Sequence, residues 1–588
     1  MRKRICFLVV VFLILVSNLL SEEIFPIKEK IVVTASLIPV EFSRITRKVI
    51  IIEREDIEKA PVNSVADLLK YIAGIDLRQR GLFGVQGDLS IRGANFSQIL
   101  IMINGVKVYD PQTAHHNLDI PLSLSDIERI EILYGHGSSL YGENAFGGVV
   151  NIITKDYSEK QISGKFSIGD YRSFFGNLRL FRNFGRLNTS LSIDYKKSDG
   201  FDYDRDFNVF NLLANSNLNL STGKINFMLG YNRKNFGANN FYAPYPSKEW
   251  TETRFISVNS EIKKTKIKLY FRSHYDKFML DIRKPYWYLN EHTSYSYGFE
   301  GYSSFALPIF GKIILGGELR EDRIKSSNLG NHSYYKFSIF VEYEKIFDRL
   351  YFDLSIRNDF YSNYGNELSP SLSFSYLISD NLKIRSSVSK AFRIPSFTEL
   401  YYRSPANIGN PDLEPEKTFS VELGLDYFPS SELSFEGTIF YRKDRDLIDW
   451  IRNKREIIWR ARNIQKVIFY GVESGFRFKN LFALSYSYLK SKLEKPQNFI
   501  SKYALNHPVH QINSSVYFSL PFKINVGIFN TYKKRKGEEG YFLIDTKLSR
   551  KIGNIEIFVQ ILNLLNTEYE EIPGVKMPGR WIFAGLKF

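Results

Sequence analysis

The chain has 588 residues, enough for a large core and too many for one ordinary soluble domain. Aromatic residues make up 15%, with 37 Tyr and 48 Phe, yet mean hydropathy is only -0.22. No run of about 18 apolar residues follows the N-terminus, which excludes a helical span there. The net charge of +16 is spread along the chain without a nucleic-acid motif, which excludes nucleic acid as a partner.

The chain opens on Met1-Arg2-Lys3-Arg4, an apolar stretch from Ile5 to Val16, and a small polar stretch ending at Ser21. That pattern predicts a signal peptide over 1–21, removed near Ser21. The only cysteine, Cys6, lies inside it, so the mature chain has no disulfide, thiol nucleophile or cysteine metal site. Residues 22–40 are short, polar and extended in character. Within them Lys30, Ile31, Val32, Val33, Thr34 and Ala35 form a β-branched run suited to adding a strand to a partner's sheet edge.

Thr46 to Glu53 reads as a strand. Ser64 can cap a helix from Val65 to Ile72, with Asp67 in its first turn and Gly74 beyond its end. Ile99 to Ile103 is an apolar strand closed by the Asn104-Gly105 turn. Ile127 to Leu133 and Val149 to Ile153 are further strands, and glycines punctuate Gly135 to Gly148. Together these form a small α+β unit over 41–155. Gln79–Asp88 and Asp110–Asp119 carry neither strand nor helix pattern and read as loops. The second loop contains His115 and His116. Neighbours on an extended chain point to opposite sides, and two histidines without a third ligand make no metal set, so no metal is expected.

From 156 to 588 the texture changes to segments of about ten alternating residues separated by polar turns. Ile267, Leu269 and Phe271 alternate with Lys268, Tyr270 and Arg272. Phe482, Leu484, Tyr486 and Tyr488 form another such face. Roughly 22 antiparallel strands fit, which predicts a transmembrane β-barrel with the α+β unit as a plug in its lumen. Asn239–Thr253 and Tyr401–Lys417 read as long outward loops. The chain ends on an amphipathic strand closed by Phe588. There is no Gly-rich loop with a Lys-Ser/Thr ending, hence no ATP site, and no Ser-His-acid motif, so an enzyme is not expected.

Five pieces in order resemble the plug of TonB-dependent outer-membrane receptors. They are Ser90-Ile91-Arg92-Gly93, Ile103-Asn104-Gly105-Val106, Asp126 to Glu131, Ser138 to Gly142, and Gly147 to Thr154. The resemblance implies that Lys30 to Ala35 are the TonB box. It implies as partners TonB with its inner-membrane energising complex, outer-membrane lipid, and the barrel assembly machinery acting on the strand ending at Phe588. A monomer without cofactors is expected, and a passive porin is the alternative of a different class.

The resemblance also places ligand contacts at the plug apex and outer loops. Candidates in the first plug loop are Gln79, Arg80, Phe83 and Gln86. Those in the second are Gln112, His115, His116 and Asn117. Tyr242 and Trp250 are the barrel's candidates. Phe392 to Tyr401 and Gly409 to Glu416 resemble a motif pair shared by heme, siderophore and cobalamin receptors. None of the 8 histidines lies between Phe392 and Leu413, where heme receptors of this kind carry one. Asp444 to Trp450 and Tyr470 to Glu473 look like the late barrel of cobalamin receptors. A corrinoid is therefore the expected ligand, ahead of a ferric siderophore or heme.

Overall fold

The computed structural model describes residues 31–494 and 499–588. The expected signal peptide and Lys30 lie outside the described residues. Twenty-two full-length antiparallel strands form a closed barrel, from Ile162–Gly169 to Trp581–Lys587. The first and last strands pair in register, Lys165 with Lys587 and Phe166 with Leu586. The Phe588 amide donates to Gly164 O at 3.0 Å. Closure leaves no unpaired strand edge in lipid, where no water would satisfy it.

Alternation decides which face each side chain takes. In Ser173–Phe184, the side chains of Phe175, Asn177, Arg179 and Phe181 are buried, whereas Phe174, Leu178 and Leu180 face outward. The same two-residue period repeats around the barrel, so the outer band is apolar and the lumen is polar.

The plug fills that lumen. Its mixed five-stranded sheet has the order Val49–Glu53, Ile127–Tyr134, Gly148–Thr154, Ile99–Ile103, Val106–Val108. Asn104 and Gly105 both take positive φ, 51° and 76°, as a two-residue turn between paired strands requires. Ser64 accepts the Asp67 amide at 3.1 Å and caps the expected helix. That helix runs only Val65–Leu69, because the Tyr71 and Ile72 amides bond Leu68 O and Leu69 O in tight i→i−3 turns. The stretch 79–88, expected to be a loop, is instead largely a hairpin of Ile75–Gly81 and Gln86–Ile91. Its alternation was hidden because Arg80, Gln86 and Asp88 are buried polar residues that satisfy one another. Of the expected outer loop 239–253, the part from Lys248 onward belongs to the barrel strand Lys248–Ile262.

Buried ion pairs dock the plug on the wall. Glu473 on the barrel accepts both Arg92 Nη2 at 2.8 Å and Lys48 Nζ at 3.0 Å, and Glu422 meets Arg92 Nη1 at 3.0 Å. Glu143 on the plug takes Arg320 at 3.0 Å and Lys336 at 2.8 Å from the wall. Gly135, at φ 75°, lets Glu422 approach the plug backbone: a Cβ there would lie 2.0 Å from its Oε1. Removing one partner of such a set strands the others in a dry site. Glu473→Gln is expected to loosen the plug by about 3–5 kcal/mol, read as faster amide exchange around Arg92 with the barrel's heat resistance unchanged. Unchanged exchange there would refute a docking role for Glu473.

Candidate functional site

An open cavity lies between the plug loops at 95–97 and 112–116, taken here as its apex, and the barrel wall. Its volume is about 170 Å³. Its floor is the segment 110–119, which closes on itself. Asn117 Oδ1 accepts the Asp110 amide at 3.0 Å, and Asp110 Oδ1 accepts the Gln112 amide at 3.1 Å and the Ser294 hydroxyl at 2.7 Å. Ala114–His116 forms a single 3₁₀ turn in that segment, so the two histidines diverge.

His115 stacks on Phe96 at 4.1 Å and donates from Nδ1 to Asp88 Oδ1 at 2.7 Å. Burial lowers the His115 imidazole below its usual range, although the Asp88 carboxylate pulls the other way. Asp88 is also bound by Arg80 at 2.7 Å. Burial alone would raise the Asp88 carboxyl, but Arg80 and then His115 hold it well below the ordinary range. His116 turns the other way. Its Nδ1 faces Asp119 at 3.6 Å, and its Nε2 faces Glu249 at 3.7 Å and Asp276 at 3.7 Å. Burial would lower this imidazole, yet the carboxylates of Asp119 and Asp276 hold it well above its usual range.

One wall is three neighbouring strands, Lys248–Ile262, Thr265–Met279 and Leu289–Leu307. Their pairing sets Thr251 across from Asp276 and Asp276 across from His292. The period of two then aims Glu249, Asp276 and His292 at the lumen. The opposite wall is the short helix Phe397–Tyr401 with Tyr402, Trp450 and Tyr503. The Phe397 and Thr398 amides donate to Pro111 O at 3.0 Å and Gln112 O at 2.9 Å, tying this wall to the floor. Arg393 binds Glu399 at 2.8 Å and Glu416 at 2.7 Å, and Gln98 of the plug donates to Glu416 at 2.7 Å. The motif pair from Phe392 to Glu416 is thus a clamp that sets the rim on the plug. Asp449 accepts the Ser501 hydroxyl and the Ala504 amide, which fastens the segment carrying Lys502 and Tyr503 over the cavity.

Four of the ten candidate contacts line this cavity: Gln112, His115, His116 and Tyr242. The other six lie elsewhere. Gln79 is spent on Asp67 at 3.1 Å, Gln86 on Arg80 at 3.1 Å, and Asn117 on the loop's own backbone. Arg80 lies behind the lining, over the Tyr242 ring at 5.2 Å. Phe83 packs in an aromatic cluster with Phe175, Trp581 and Phe583. Trp250 follows inward-facing Glu249, so the strand period turns it to the other face of the wall, where Lys277 sits over its ring. Sequence reading missed Glu249, Asp276, His292 and Tyr402. They sit on strands and loops whose convergence no spacing encodes, although Glu249 and Tyr402 fall in the two stretches read as outer loops.

Residues 138–564 match the family described as "TonB dependent receptor-like, beta-barrel", and residues 42–149 match "TonB-dependent Receptor Plug Domain". A relative named vitamin B12 transporter BtuB from Photobacterium profundum is 23% identical over 95% of each chain. Another of the same name, from Vibrio vulnificus, is 23% identical over 70% of this chain and 69% of that one. Among solved structures, the siderophore receptor PirA from Acinetobacter baumannii aligns with a TM-score of 0.77 at 17% identity, covering 92% of this chain and 98% of that one.

The depressed Asp88 carboxyl makes the apex acid-sensitive. Its stabilisation is complete above the unfolded value near ~4 and is lost as pH falls through the lower folded value. Amide exchange in Gln86–Ile91, corrected for intrinsic rates, is expected to accelerate below about pH 4. Asp88→Asn is expected to exchange fast already at neutral pH. A variant as protected as the parent would break this assignment.

Proposed function

The chain belongs to the TonB-dependent receptors of the outer membrane, and from that premise we propose that it imports a corrinoid such as cobalamin. The observation that carries this reading is the cavity itself. Aromatic side chains of Phe96, Tyr242, Tyr402, Trp450 and Tyr503 ring a polar floor, which suits a partly apolar ligand with a polar rim that seats at the open mouth. Among the described residues, Glu249 and Asp276 have His116 and no Lys or Arg as ion-pair partner. With no Lys or Arg paired to it, this part of the lining offers little to an anionic ferric chelate and tolerates a corrinoid of net charge near zero. The relatives named vitamin B12 transporters support the same choice. A ferric siderophore is the second reading, supported by the siderophore receptor among the solved structures.

Energy coupling starts at Ile31–Ala35. Ile31 and Val32 pair with Glu41 and Val40. The Val33 amide and Thr34 hydroxyl donate to Glu131 Oε2 at 2.9 and 2.7 Å, and Asn151 Nδ2 donates to Thr34 at 3.0 Å. Strand addition to TonB requires this segment to leave those bonds. Glu131 and Asn151 stand on paired strands of the plug sheet. The far end of that sheet meets the apex, where the Gly147 amide donates to Gln98 O at 2.8 Å. Ligand on the floor thus bears on the same sheet that holds the box. TonB, drawing on the inner-membrane proton gradient, then pulls the freed segment and the plug rearranges. The receptor works as a monomer in lipid, and its last strand serves the barrel assembly machinery.

Titrating the purified, folded receptor with cyanocobalamin, by tryptophan fluorescence and calorimetry, is expected to give a nanomolar Kd, about 12 kcal/mol. Absence of binding would remove the corrinoid and leave the iron chelate. Deleting residues 31–35 is expected to abolish uptake while binding persists. Uptake at the parental rate, with the barrel assembled, would end the coupling role.

A further inference from the structure

Where the cavity floor meets its wall, the lining carries a polar group that neither ion pairing nor hydrogen bonding completes. Glu249, Asp276 and His116 have ligand-type atoms all within 4.8 Å of one another, and all three side chains are buried. The His116 Nε2 distances of 3.7 Å to each carboxylate are too long for hydrogen bonds. They are close to the donor–donor edge of a tetrahedral metal site, about 3.3 Å for bonds of about 2.0–2.1 Å. Asp276 is 5% exposed, and its Oδ1 has no hydrogen-bond partner. Such an atom costs free energy unless something else fills its place.

We propose that His116 Nε2, Glu249 and Asp276 form a site for a first-row divalent ion of the Zn²⁺ type, with its remaining coordination position open to the cavity.

The surroundings are arranged as supports for such ligands. The Tyr242 hydroxyl donates to Glu249 Oε2 at 3.0 Å and leaves Oε1, the oxygen that faces His116, for the ion. Gln112 Nε2 donates to Asp276 Oδ2 at 2.9 Å, the oxygen 3.7 Å from His116 Nε2, and so holds the carboxylate in place with Oδ1 free. Asp119 faces the far nitrogen of His116, the carboxylate–histidine–metal order that orients an imidazole ligand. His292, directly across from Asp276, stands at the edge of the group with its Nδ1 bonded to Ser326 at 2.7 Å. The second buried group, His116, Asp119 and His274, is a different case. There Lys234 holds Asp119 at 2.6 Å and His274 bonds it at 3.1 Å, so its charge is already answered.

Charge and donor type point the same way. Two carboxylates and a neutral imidazole, the forms that bind a metal, carry a formal −2, which a divalent ion brings to zero. An imidazole among the donors favours a borderline transition ion over Ca²⁺ or Mg²⁺, which take oxygen ligands. The floor is reached from outside the cell through the cavity mouth, so the ion enters by the route of the cargo. The site stands independently of the corrinoid reading, and its test contains no corrinoid.

The test is calorimetry of Zn²⁺ with the full receptor in detergent, prepared without a polyhistidine tag, beside the visible spectrum of the Co²⁺-loaded protein. One strong equivalent is expected, with the intense Co²⁺ bands of four or five ligands. His116→Gln, Glu249→Gln and Asp276→Asn are each expected to weaken it by about tenfold or more, whereas His510→Gln on a distant strand is not. The Co²⁺ spectrum of the unaltered receptor keeps the test decisive if a variant fails to fold. No binding, binding that survives all three substitutions, octahedral Co²⁺ only, or Ca²⁺ taken as tightly as Zn²⁺ would each overturn the proposal.

Discussion

A backbone that crosses lipid finds no water for its amides and carbonyls, and the rest of this molecule answers that constraint. The strands satisfy it by closing, first against last, so that no edge is left. Closure at twenty-two strands makes a lumen too wide for side chains to fill, and the plug occupies it. Filling a polar lumen buries charge, and buried charge must be paired. Glu473, Glu422 and Glu143 do this across the plug–wall boundary, each holding cations that would be costly alone. The plug is thereby fixed by pairs that can be exchanged for others, unlike an apolar seam. That is a suitable attachment for the plug rearrangement proposed above.

The same economy runs from apex to box. The plug sheet carries Gly148 near the cavity end and Glu131 and Asn151 against Thr34. Both ends belong to one small sheet, so the coupling proposed between ligand and box needs no long relay. The clamp of Arg393, Glu399 and Glu416 joins the barrel rim to Gln98 of the plug. It makes rim and apex one surface, which explains why a motif so far along the chain belongs with the plug.

Around the cavity most buried charges are already spent. Asp88 holds Arg80, Asp119 holds Lys234, and Asp449 fastens the 501–504 segment. Glu249 and Asp276 stand out because, among the described residues, their ion-pair partner is an imidazole and no Lys or Arg. Two carboxyl groups without a Lys or Arg partner in a chain of net charge +16 are a local choice. Composition, which averages over the whole chain, carries no trace of it.

Local pattern alone determined the elements. The alternation of Ile267 to Arg272, the Asn104-Gly105 turn, and the Ser64 cap each depend on neighbours in sequence, so barrel, plug sheet and helix start were legible. The Gln79–Asp88 hairpin was not, because its inward polar residues satisfy one another and break the apolar rhythm. At the site, sequence marked the segment holding Gln112, His115 and His116, and the loop holding Tyr242. It misplaced Trp250, since a one-residue step along a strand reverses the face and only the observed register shows which face is inward. His116 meets Glu249 and Asp276 across more than 130 residues of chain, through strand pairing and the docking of plug in barrel. That convergence is a property of the closed, filled barrel, and tertiary structure alone decided it.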